Sequence, residues 1–351
     1  MKVLITGGNG FIGRRVTDKL RARGISVRWA SRTRPEELPQ GVEHVRFDAA
    51  RPEHTDELVE GCTHVIHLAA REDMPLLPPG DDDGDLMFET NVLGTEKLLA
   101  ACLKKGIKKV VVVTSVFTAG YNRSDEPNDG SRPYNVTAYR SPYVLSRFQE
   151  EYVCLQYAAR GLPVIIAAPS IVVGAGDTKV AGPAVRAAMK GIVWMVPPGG
   201  VNVIDVDDVA QGLVNGLERG VSGTRYPFVA SNVAWVDFFG AIAREVGVRP
   251  PGKAPRFLVK LGLLATRFVG WLQGRKRAFG IGAQILNNRF YFSPRRAIED
   301  LGLPQTPVSE SLKQTVVWVK TGKLPEPKGF SLGADGVDAD LVETQKTRSG
   351  L

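Results

Sequence analysis

The hydrophobic positions in the first third of the chain form short runs that alternate with stretches of helical spacing. Val3, Leu4 and Ile5 form the first run, and a glycine cluster then leads into residues 14–23, which have helical composition. Further apolar runs occur at 25–30, 42–47, 63–68 and 108–115, with a helical stretch at 91–104. Strands that alternate with helices predict a doubly wound parallel sheet of the α/β class, whose ligands bind beyond the carboxyl ends of the strands.

The glycine cluster between the first strand and the first helix has the spacing of a dinucleotide site. Gly8, Gly10 and Gly13 fit Gly-x-Gly-x-x-Gly, and Gly7 followed by Gly10 and Gly13 fits Gly-x-x-Gly-x-x-Gly. A glycine backbone lets a pyrophosphate approach closely, and the helix that follows presents free N–H groups to it. The alternative is an ordinary glycine turn, and the position directly after an apolar strand favours the nucleotide.

The residues after the second strand bear on the choice of nicotinamide cofactor. An acidic side chain there accepts hydrogen bonds from the ribose 2′-hydroxyl, whereas an arginine accommodates a 2′-phosphate. Ser31, Arg32 and Arg34 stand at this point, and no acidic residue follows the strand before Glu36. The sequence therefore predicts NADP, with NAD as the alternative and a solvated basic loop as the interpretation without a ligand.

The C-terminal half continues the alternation less regularly. VNVIDV at 201–206 predicts a strand, and the residues after it predict a helix capped by Asp207. We predict a dinucleotide-binding domain at 1–180 and 199–232, and a smaller α/β substrate-binding lobe at 181–198 and 233–325. Residues 326–351 are rich in glycine and charged side chains, which predicts a disordered tail.

Composition and cysteine usage narrow the class of protein. The chain has 351 residues, of which 43% are hydrophobic and 23% charged, as in ordinary soluble globular proteins. Cys62, Cys102 and Cys154 are too scattered to predict a disulfide framework. Cys62, His64 and His67 lie on or beside a strand whose successive residues face opposite ways, so no metal site is predicted. No apolar run reaches the roughly 20 residues of a spanning helix, and we expect a cytoplasmic protein.

Candidate catalytic residues follow the buried strand at 108–115. Ser115 ends this strand, and Tyr143 begins the sequence YVLSR within a helical segment that runs to Ala159. A tyrosine with its ordinary pKa of about 10 is a poor base at neutral pH. A cation four positions later on a helix lies one turn away on the same face and stabilises the phenolate, and Arg147 occupies that position.

Seven segments in this order and at these separations resemble the extended short-chain dehydrogenase/reductase family: TGGNGFIG, HLAA, NVLGT, VVVTS, SPYVLSR, APSIVVGAGD and VIDVDDVA. This family includes NAD-dependent sugar-nucleotide epimerases and dehydratases, dihydroflavonol reductases and 3β-hydroxysteroid dehydrogenases. The resemblance covers residues 1 to about 318 and implies a Rossmann fold. It implies that Ser115 polarises the substrate oxygen and that Tyr143 is the general acid or base.

The resemblance also implies a set of cofactor contacts. The pyrophosphate contacts are Gly7, Gly10, Phe11 and Ile12, to which the glycine fingerprint adds Gly13. Asp48 faces the adenine, and Arg32 is the predicted 2′-phosphate contact. The remaining predicted contacts are Ala49, Leu68, Ala69, Ala70, Tyr143, Arg147 and Pro169.

The chain departs from the family at one catalytic position. The family motif is Tyr-x-x-x-Lys, and Arg147 stands where the lysine belongs. An arginine keeps the positive charge, but it is larger, planar and never neutral at working pH. We therefore expect electrostatic help to Tyr143 without a proton relay, and slower chemistry than a lysine would give. A second departure is Ala168, where relatives commonly have arginine.

A cationic segment in the C-terminal lobe suggests two interpretations. Residues 250–298 contain no acidic residue and ten lysines and arginines. Residues 257–272 place a thin cationic stripe on an otherwise apolar helix. This helix is either buried against the substrate lobe or rests on an anionic bilayer through 256–277, where it admits a lipid-like substrate. No groove-reading motif accompanies the charge, so nucleic-acid binding is not expected.

Three functions remain open from the sequence. The first is an NADP-dependent oxidoreductase that interconverts a ketone and a secondary alcohol on a hydrophobic steroid, terpenoid or lipid-like substrate. The second is a nucleotide-sugar epimerase or dehydratase without net redox change. The third is a catalytically weakened NADP-binding protein, as Arg147 suggests. The resemblance further implies a homodimer through the helices that bear Asn91 and Tyr143.

Overall fold

The computed structural model describes residues 1–71, 83–120, 126–129, 141–255, 257, 259, 261 and 286–324. The predicted tail at 326–351 and most of the cationic segment at 256–277 lie outside the described residues. In chain order the strands are β1 Lys2–Thr6, β2 Ser26–Ser31, β3 Val42–Arg46, β4 His64–His67, β5 Lys109–Val113, β6 Val164–Pro169, β7 Ile171–Val173, β8 Met195–Val196, β9 Gly200–Asp205, β10 Arg225–Phe228, β11 Ser231–Ala234, β12 Gly252–Lys253 and β13 Arg289–Phe290.

The helices cover both faces of the main sheet and fill the smaller lobe. They are α1 Phe11–Ala22, α2 Thr55–Val59, α3 Asp83–Phe88, α4 Gly94–Lys104, α5 Pro142–Ala159, α6 Ala181–Met189, α7 Val206–Arg219, α8 Trp235–Val246, α9 Arg295–Leu301 and α10 Val308–Thr321. A π-helical turn at Glu89–Leu93 precedes α4, and a 3-10 turn at Val116–Ala119 follows β5. None of the helices among the described residues combines the length and apolar character needed to cross a bilayer.

A seven-stranded sheet confirms the predicted doubly wound fold. The strand order is β10, β6, β5, β4, β1, β2, β3, and every neighbouring pair is parallel. All seven carboxyl ends therefore lie at one edge, and the strand order reverses beside β1, where ligands bind in such sheets.

The apolar strands are buried on both faces because helices cover both sides of the sheet. Val3 and Ile5 pack into one core with α1 and α7, whereas Leu4 points into the opposite core with α4 and α5. This alternation explains why the central residues of β1 and β5 are all apolar. In a sheet covered on both sides, side chains on both faces lie in an apolar environment.

A second, smaller sheet lies beside the first. It contains β7, β9, β11 and β13, with β9 paired to the other three strands. Helices α6, α8 and α10 pack around it. This is the predicted smaller α/β lobe. The domain boundaries stay a prediction. Strand pairing divides the chain differently from these boundaries, because β9 pairs with β7 and β11 in the small sheet although β7 and β9 both lie in the range predicted for the dinucleotide-binding domain. By contrast, β10 and α7 pack with the main sheet.

The start of α7 corrects one prediction. The cap is Asp205, whose Oδ1 accepts a hydrogen bond of 2.7 Å from the backbone N–H of Asp207. Asp207, the predicted cap, lies in the first turn instead. Asp205, two residues before Asp207, has the extended backbone that a capping residue requires.

Candidate active site

The glycines of the turn after β1 lie too close to neighbouring atoms to carry a Cβ without strain. Gly7 has φ +71°, in the left-handed region, and an added Cβ would lie 3.2 Å from the backbone nitrogen of Ala69. At Gly13 an added Cβ would lie 2.5 Å from the carbonyl oxygen of Gly7. Gly10 is the N-cap of α1, and its N–H donates to the Gly7 carbonyl at 3.0 Å. The turn thus sets the N-terminus of α1 against the ends of β1 and β4.

The first turn of α1 also contacts the loop that follows β7. The ring of Phe11 lies 3.5 Å from the place where a Cβ on Gly176 would stand. The guanidinium of Arg15, which is buried, donates to the carbonyl of Ala175 at 3.3 Å. Ile12 packs into the core on the α1 and α7 side. The start of α1 therefore lies between the main sheet and the smaller one.

Basic side chains gather at the carboxyl ends of β2 and β3. Ser31 is buried, and its hydroxyl donates to the carbonyl of Thr33 at 2.9 Å. Arg32 and Arg34 directly after it are exposed. Arg46 is paired with Ser31 across the two strands and is also exposed. Sequence reasoning missed Arg46, because the register that brings β3 beside β2 is not visible in the chain order.

The predicted adenine side is formed by the turn after β3. Asp48 is half-buried, and its Oδ1 accepts from the backbone N–H of Ala50 at 3.1 Å. Ala49 is buried against the start of α4, where a Cβ on Gly94 would lie 2.2 Å from the carbonyl oxygen of Ala49. The small residues Ala49 and Gly94 allow this close contact between the turn and α4.

The turn after β4 is tied to β1 by one hydroxyl. The backbone N–H groups of Leu68 and Ala69 lie 3.2 Å and 3.0 Å from Thr6 Oγ1, which accepts from them. Leu68, Ala69 and Ala70 are all half-buried. Pro169 is buried at the end of β6, two strands away in the same sheet. These predicted cofactor contacts therefore lie along the carboxyl edge of the sheet.

Two of the catalytic candidates, Ser115 and Arg147, lie near the end of β5. Ser115 is buried and caps the 3-10 turn, with its Oγ accepting from the N–H of Phe117 at 3.4 Å. Arg147 on α5 is 1% exposed and donates to the carbonyl of Val113 at 3.1 Å, two residues before Ser115. Its guanidinium carbon lies 5.8 Å from the centre of the Tyr143 ring. The structure thus brings Tyr143 and Arg147 together, one turn apart on α5.

Two glutamates that sequence reasoning missed hold this region together. Glu150, fully buried, accepts from Arg147 at 2.9 Å and from the Thr95 hydroxyl at 3.1 Å. Burial, opposed in part by Arg147, raises the pKa of Glu150 to about 7. The sequence carried a signal for Glu150: an acidic residue on the buried side of a helix is rare unless it is paired.

Glu151 fixes the segment that contains Ser115. It accepts from the hydroxyls of Thr114 at 2.8 Å and Thr118 at 2.6 Å. Its other oxygen lies 3.4 Å from Nε of Arg225 on β10. Burial raises the pKa of Glu151, while Arg225 and the two hydroxyls lower it. Glu151 thus binds α5 to the end of β5, whereas Glu150 binds the same helix to α4.

His67 links the cofactor turn to this cluster. Its ring nitrogens lie 2.6 Å from Thr6 Oγ1 and 2.9 Å from Thr95 Oγ1. Complete burial, with Arg147 as a smaller cause, lowers the pKa of His67 to about 3, so the imidazole is neutral. Among the described residues, no three His, Cys, Asp or Glu side chains are grouped as a metal ion would require.

Comparisons with known proteins agree with this geometry. A sequence model described as the NAD dependent epimerase/dehydratase family matches residues 3–228. A Synechocystis sp. protein assigned as a dihydroflavonol 4-reductase is 26% identical over 333 residues, which span 90% of this chain and 93% of that protein. The 4-hydroxy-2-methyl-3-oxo-4-farnesyl-3,4-dihydroquinoline-1-oxide ketoreductase of Stigmatella aurantiaca is 31% identical over 238 residues, or 64% of this chain and 67% of that protein.

A solved structure shares the fold over nearly the whole chain. The UDP-glucose 4-epimerase of Thermus thermophilus, solved as a complex with NAD, superimposes with a TM-score of 0.73 at 23% identity. The match covers 92% of this chain and 100% of that one. At this identity the likeness establishes the common Rossmann fold.

Proposed function

Since the chain belongs to the NAD-dependent epimerase/dehydratase family, we propose that it is an NADP-dependent oxidoreductase that interconverts a ketone and a secondary alcohol. Membership of this family confirms the resemblance seen in the sequence and makes the protein an NAD(P)-dependent enzyme. The observation that carries the finer proposal is the position of Tyr143 and Arg147, one turn apart beside the end of β5. A phenol next to a fixed cation is suited to exchange a proton with a substrate oxygen.

The residues at the carboxyl edge of the sheet fit a dinucleotide. The cradle formed by Gly7 and Gly13 leaves no room for a Cβ, as a backbone that receives a pyrophosphate requires. The N-terminus of α1 directly behind it offers N–H groups to the phosphates. When bound, the nicotinamide nucleotide supplies the hydride donor or acceptor. Gly7, Gly10, Phe11, Ile12, Gly13, Asp48, Ala49, Leu68, Ala69, Ala70 and Pro169 are the proposed contacts.

The basic cluster after β2 supports NADP over NAD. Arg32 and Arg34 are exposed at the end of the strand, and Arg46 stands beside them on β3. Arginine side chains in this place accommodate a 2′-phosphate, whereas no carboxylate follows the strand to accept hydrogen bonds from a free ribose 2′-hydroxyl before Glu36.

The protein's own residues have three roles in the proposed reaction. Tyr143 gives a proton to the substrate oxygen during ketone reduction and removes it during alcohol oxidation. Ser115, held at the end of β5, donates a hydrogen bond to the same oxygen. Arg147 keeps its charge beside the Tyr143 ring and stabilises the phenolate form.

The substrate we propose is hydrophobic. The Stigmatella aurantiaca relative is named for a ketone with a farnesyl chain, and exposed apolar side chains occur in the smaller lobe at Ile192 and Trp194. The segment 256–277 lies mostly outside the described residues, so membrane contact through it stays a prediction. The homodimer, the cytoplasmic location and the absence of nucleic-acid binding also stay predictions.

The direct test is the absorbance of NADPH when the purified protein is mixed with a panel of apolar ketones. We expect NADPH oxidation that Tyr143→Phe slows by about a hundredfold or more, because general acid–base catalysis contributes on that scale. Tyr152→Phe is the matched control, since Tyr152 lies on the same helix and is 60% exposed. Equal activity of Tyr143→Phe and the parent would refute the role of Tyr143.

A second measurement tests the cofactor. Arg32→Ala should weaken NADPH binding about tenfold or more and leave NADH binding nearly unchanged, since a charge-assisted contact to the 2′-phosphate is lost. Arg21→Ala, an exposed arginine on the last turn of α1, is the control. Purified protein that retains NAD tightly and shows no net redox change with any ketone would instead favour the epimerase alternative.

A further inference from the structure

The guanidinium of Arg147, beside the Tyr143 ring, is almost completely buried. Arg147 is 1% exposed, and its Nη1 reaches both the Val113 carbonyl at 3.1 Å and Glu150 at 2.9 Å. Glu150 is 0% exposed and lies three residues further along α5. A buried guanidinium needs hydrogen-bond acceptors in fixed places, because an uncompensated charge is costly in a medium of low polarity.

Glu150 is itself fixed from a second element. Its Oε1 accepts from Thr95 on α4 at 3.1 Å, while Oε2 accepts from Arg147. Thr95 in turn contacts His67, which contacts Thr6 below the glycine turn. The carboxylate is therefore held by the packing of α4 on α5, and it cannot follow Arg147 if the guanidinium moves.

We propose that Glu150 is a positioning residue of this active site, which fixes the Arg147 guanidinium beside the Tyr143 ring and so lets an arginine serve where the family motif has lysine. The inference rests on the proposed function. A lysine is a compact charge on a flexible stem, whereas an arginine presents a rigid fork of donors that works only when acceptors match it. Val113 and Glu150 are the acceptors of its Nη1 here.

The other titratable groups around Glu150 agree with this role. Glu151 and Cys154 are on the same helix, Arg147 precedes them, and His67 approaches from β4 through Thr95. Burial keeps His67 neutral by lowering its pKa, and it raises the pKa of the Cys154 thiol well above the ordinary value. Arg147 is thus the cation that pairs directly with Glu150 among these groups.

The test follows the pH at which Tyr143 ionises. Each variant is titrated by the ultraviolet absorbance of tyrosinate, with NADP bound, and the curve of the same variant carrying Tyr143→Phe is subtracted. Glu150→Leu removes the anchor, so Arg147 leaves the ring and Tyr143 should ionise about one pH unit higher than in the parent. Glu150→Gln keeps an acceptor for Arg147 and removes the opposing charge, so Tyr143 should ionise at the parent pH or below it.

Opposite behaviour of the two variants separates positioning from general damage to the fold. Glu151→Leu is the matched control, because Glu151 is a neighbouring buried carboxylate on α5 that pairs with Arg225. It should leave the Tyr143 ionisation within about 0.3 pH unit of the parent. The proposal is overturned if Glu150→Leu fails to raise the ionisation pH, or if Glu151→Leu raises it as much.

Two further arms keep the test conclusive. If Glu150→Leu does not fold, Glu150→Asp replaces it: the shorter carboxylate retracts from Arg147, and an unchanged ionisation pH then overturns the proposal. Where turnover is measurable, Glu150→Leu should lower kcat about tenfold. Because the tyrosinate titration needs no turnover, a protein inactive on every substrate would refute the proposed function while the titration still decides the role of Glu150.

Discussion

Arg147 brings a permanent charge into the interior. The free energy needed to bury this charge depends on its partner, Glu150. The guanidinium and the Glu150 carboxylate are 2.9 Å apart and almost fully removed from solvent. Removing one member of a buried pair leaves the other without compensation. We expect Arg147→Met to lower the free energy of unfolding by about 3 kcal/mol, measured by urea denaturation at pH 8, where Glu150 of the parent is ionised.

The double variant Arg147→Met with Glu150→Leu is the natural control. Replacing both partners with apolar side chains of similar size removes the buried charge altogether, so most of the lost stability should return. A double variant no more stable than Arg147→Met would show that the cost lies in packing and not in the unpaired carboxylate.

Gly13 is a second residue whose environment dictates its identity. An added Cβ would meet the Gly7 carbonyl oxygen at 2.5 Å and Gly8 Cα at 2.7 Å, and backbone atoms cannot rotate away. Gly13→Ala should therefore open the turn, cost about 1–3 kcal/mol of stability and weaken NADPH binding, as thermal melts and fluorescence titration would show. Gly240→Ala on α8 is the control, because its nearest neighbour is the Arg244 guanidinium at 3.6 Å; a similar loss there would contradict this explanation.

Some of these residues could be found from the sequence and others could not. Gly7, Gly13, Tyr143 and Arg147 stand at local spacings that follow from a turn or one helical turn. Thr95, which holds the other oxygen of Glu150, is 55 positions away, so this contact appears only when α4 packs on α5. The roles of the predicted site residues in catalysis and cofactor binding stay predictions.

At the scale of an element, α7 shows how a cap prediction can miss by two residues. The sequence predicts the cap at Asp207, and the structure gives Asp205 the extended backbone and the hydrogen bond. Asp205→Ala should lower the free energy of unfolding by about 1 kcal/mol, measured as a lower urea midpoint with an unchanged slope. Asp207→Ala should cost much less, since its contact to Arg15 is 4.0 Å long; the reverse order would restore the original assignment.

Strand β9 shows what the hydrophobic pattern cannot decide. The strand itself was predicted at 201–206 and is found at Gly200–Asp205, because an apolar run of this length is typical of a buried strand. Its pairing with β7, β11 and β13 in a separate sheet was not predicted. A strand buried on both faces has the same pattern in either sheet, so tertiary contacts alone choose its neighbours.

At the scale of the whole molecule, two buried groups give stability opposite dependences on pH. The pKa of Glu150 is raised from 4.5 to about 7, so the folded protein binds this proton more tightly and stability falls as pH rises between those values. The pKa of His67 is lowered from 6.5 to about 3, so the folded protein binds that proton less tightly and stability is lost as pH falls through that range. Between about pH 4.5 and 6.5 the two contributions oppose each other.

Removing either group should unmask the other in the pH profile of the unfolding free energy. Relative to the parent, Glu150→Gln should make stability rise with pH more steeply, by up to about 1.4 kcal/mol per unit between pH 4.5 and 7. His67→Gln should change the slope by the same amount in the opposite direction between pH 3 and 6.5, because glutamine does not titrate. Gln40→Asn, at an exposed position without a titrating side chain, is the control and should leave the profile unchanged. Parallel profiles for all three variants would mean that neither buried group exchanges a proton on unfolding, and the electrostatic account of this core would fail.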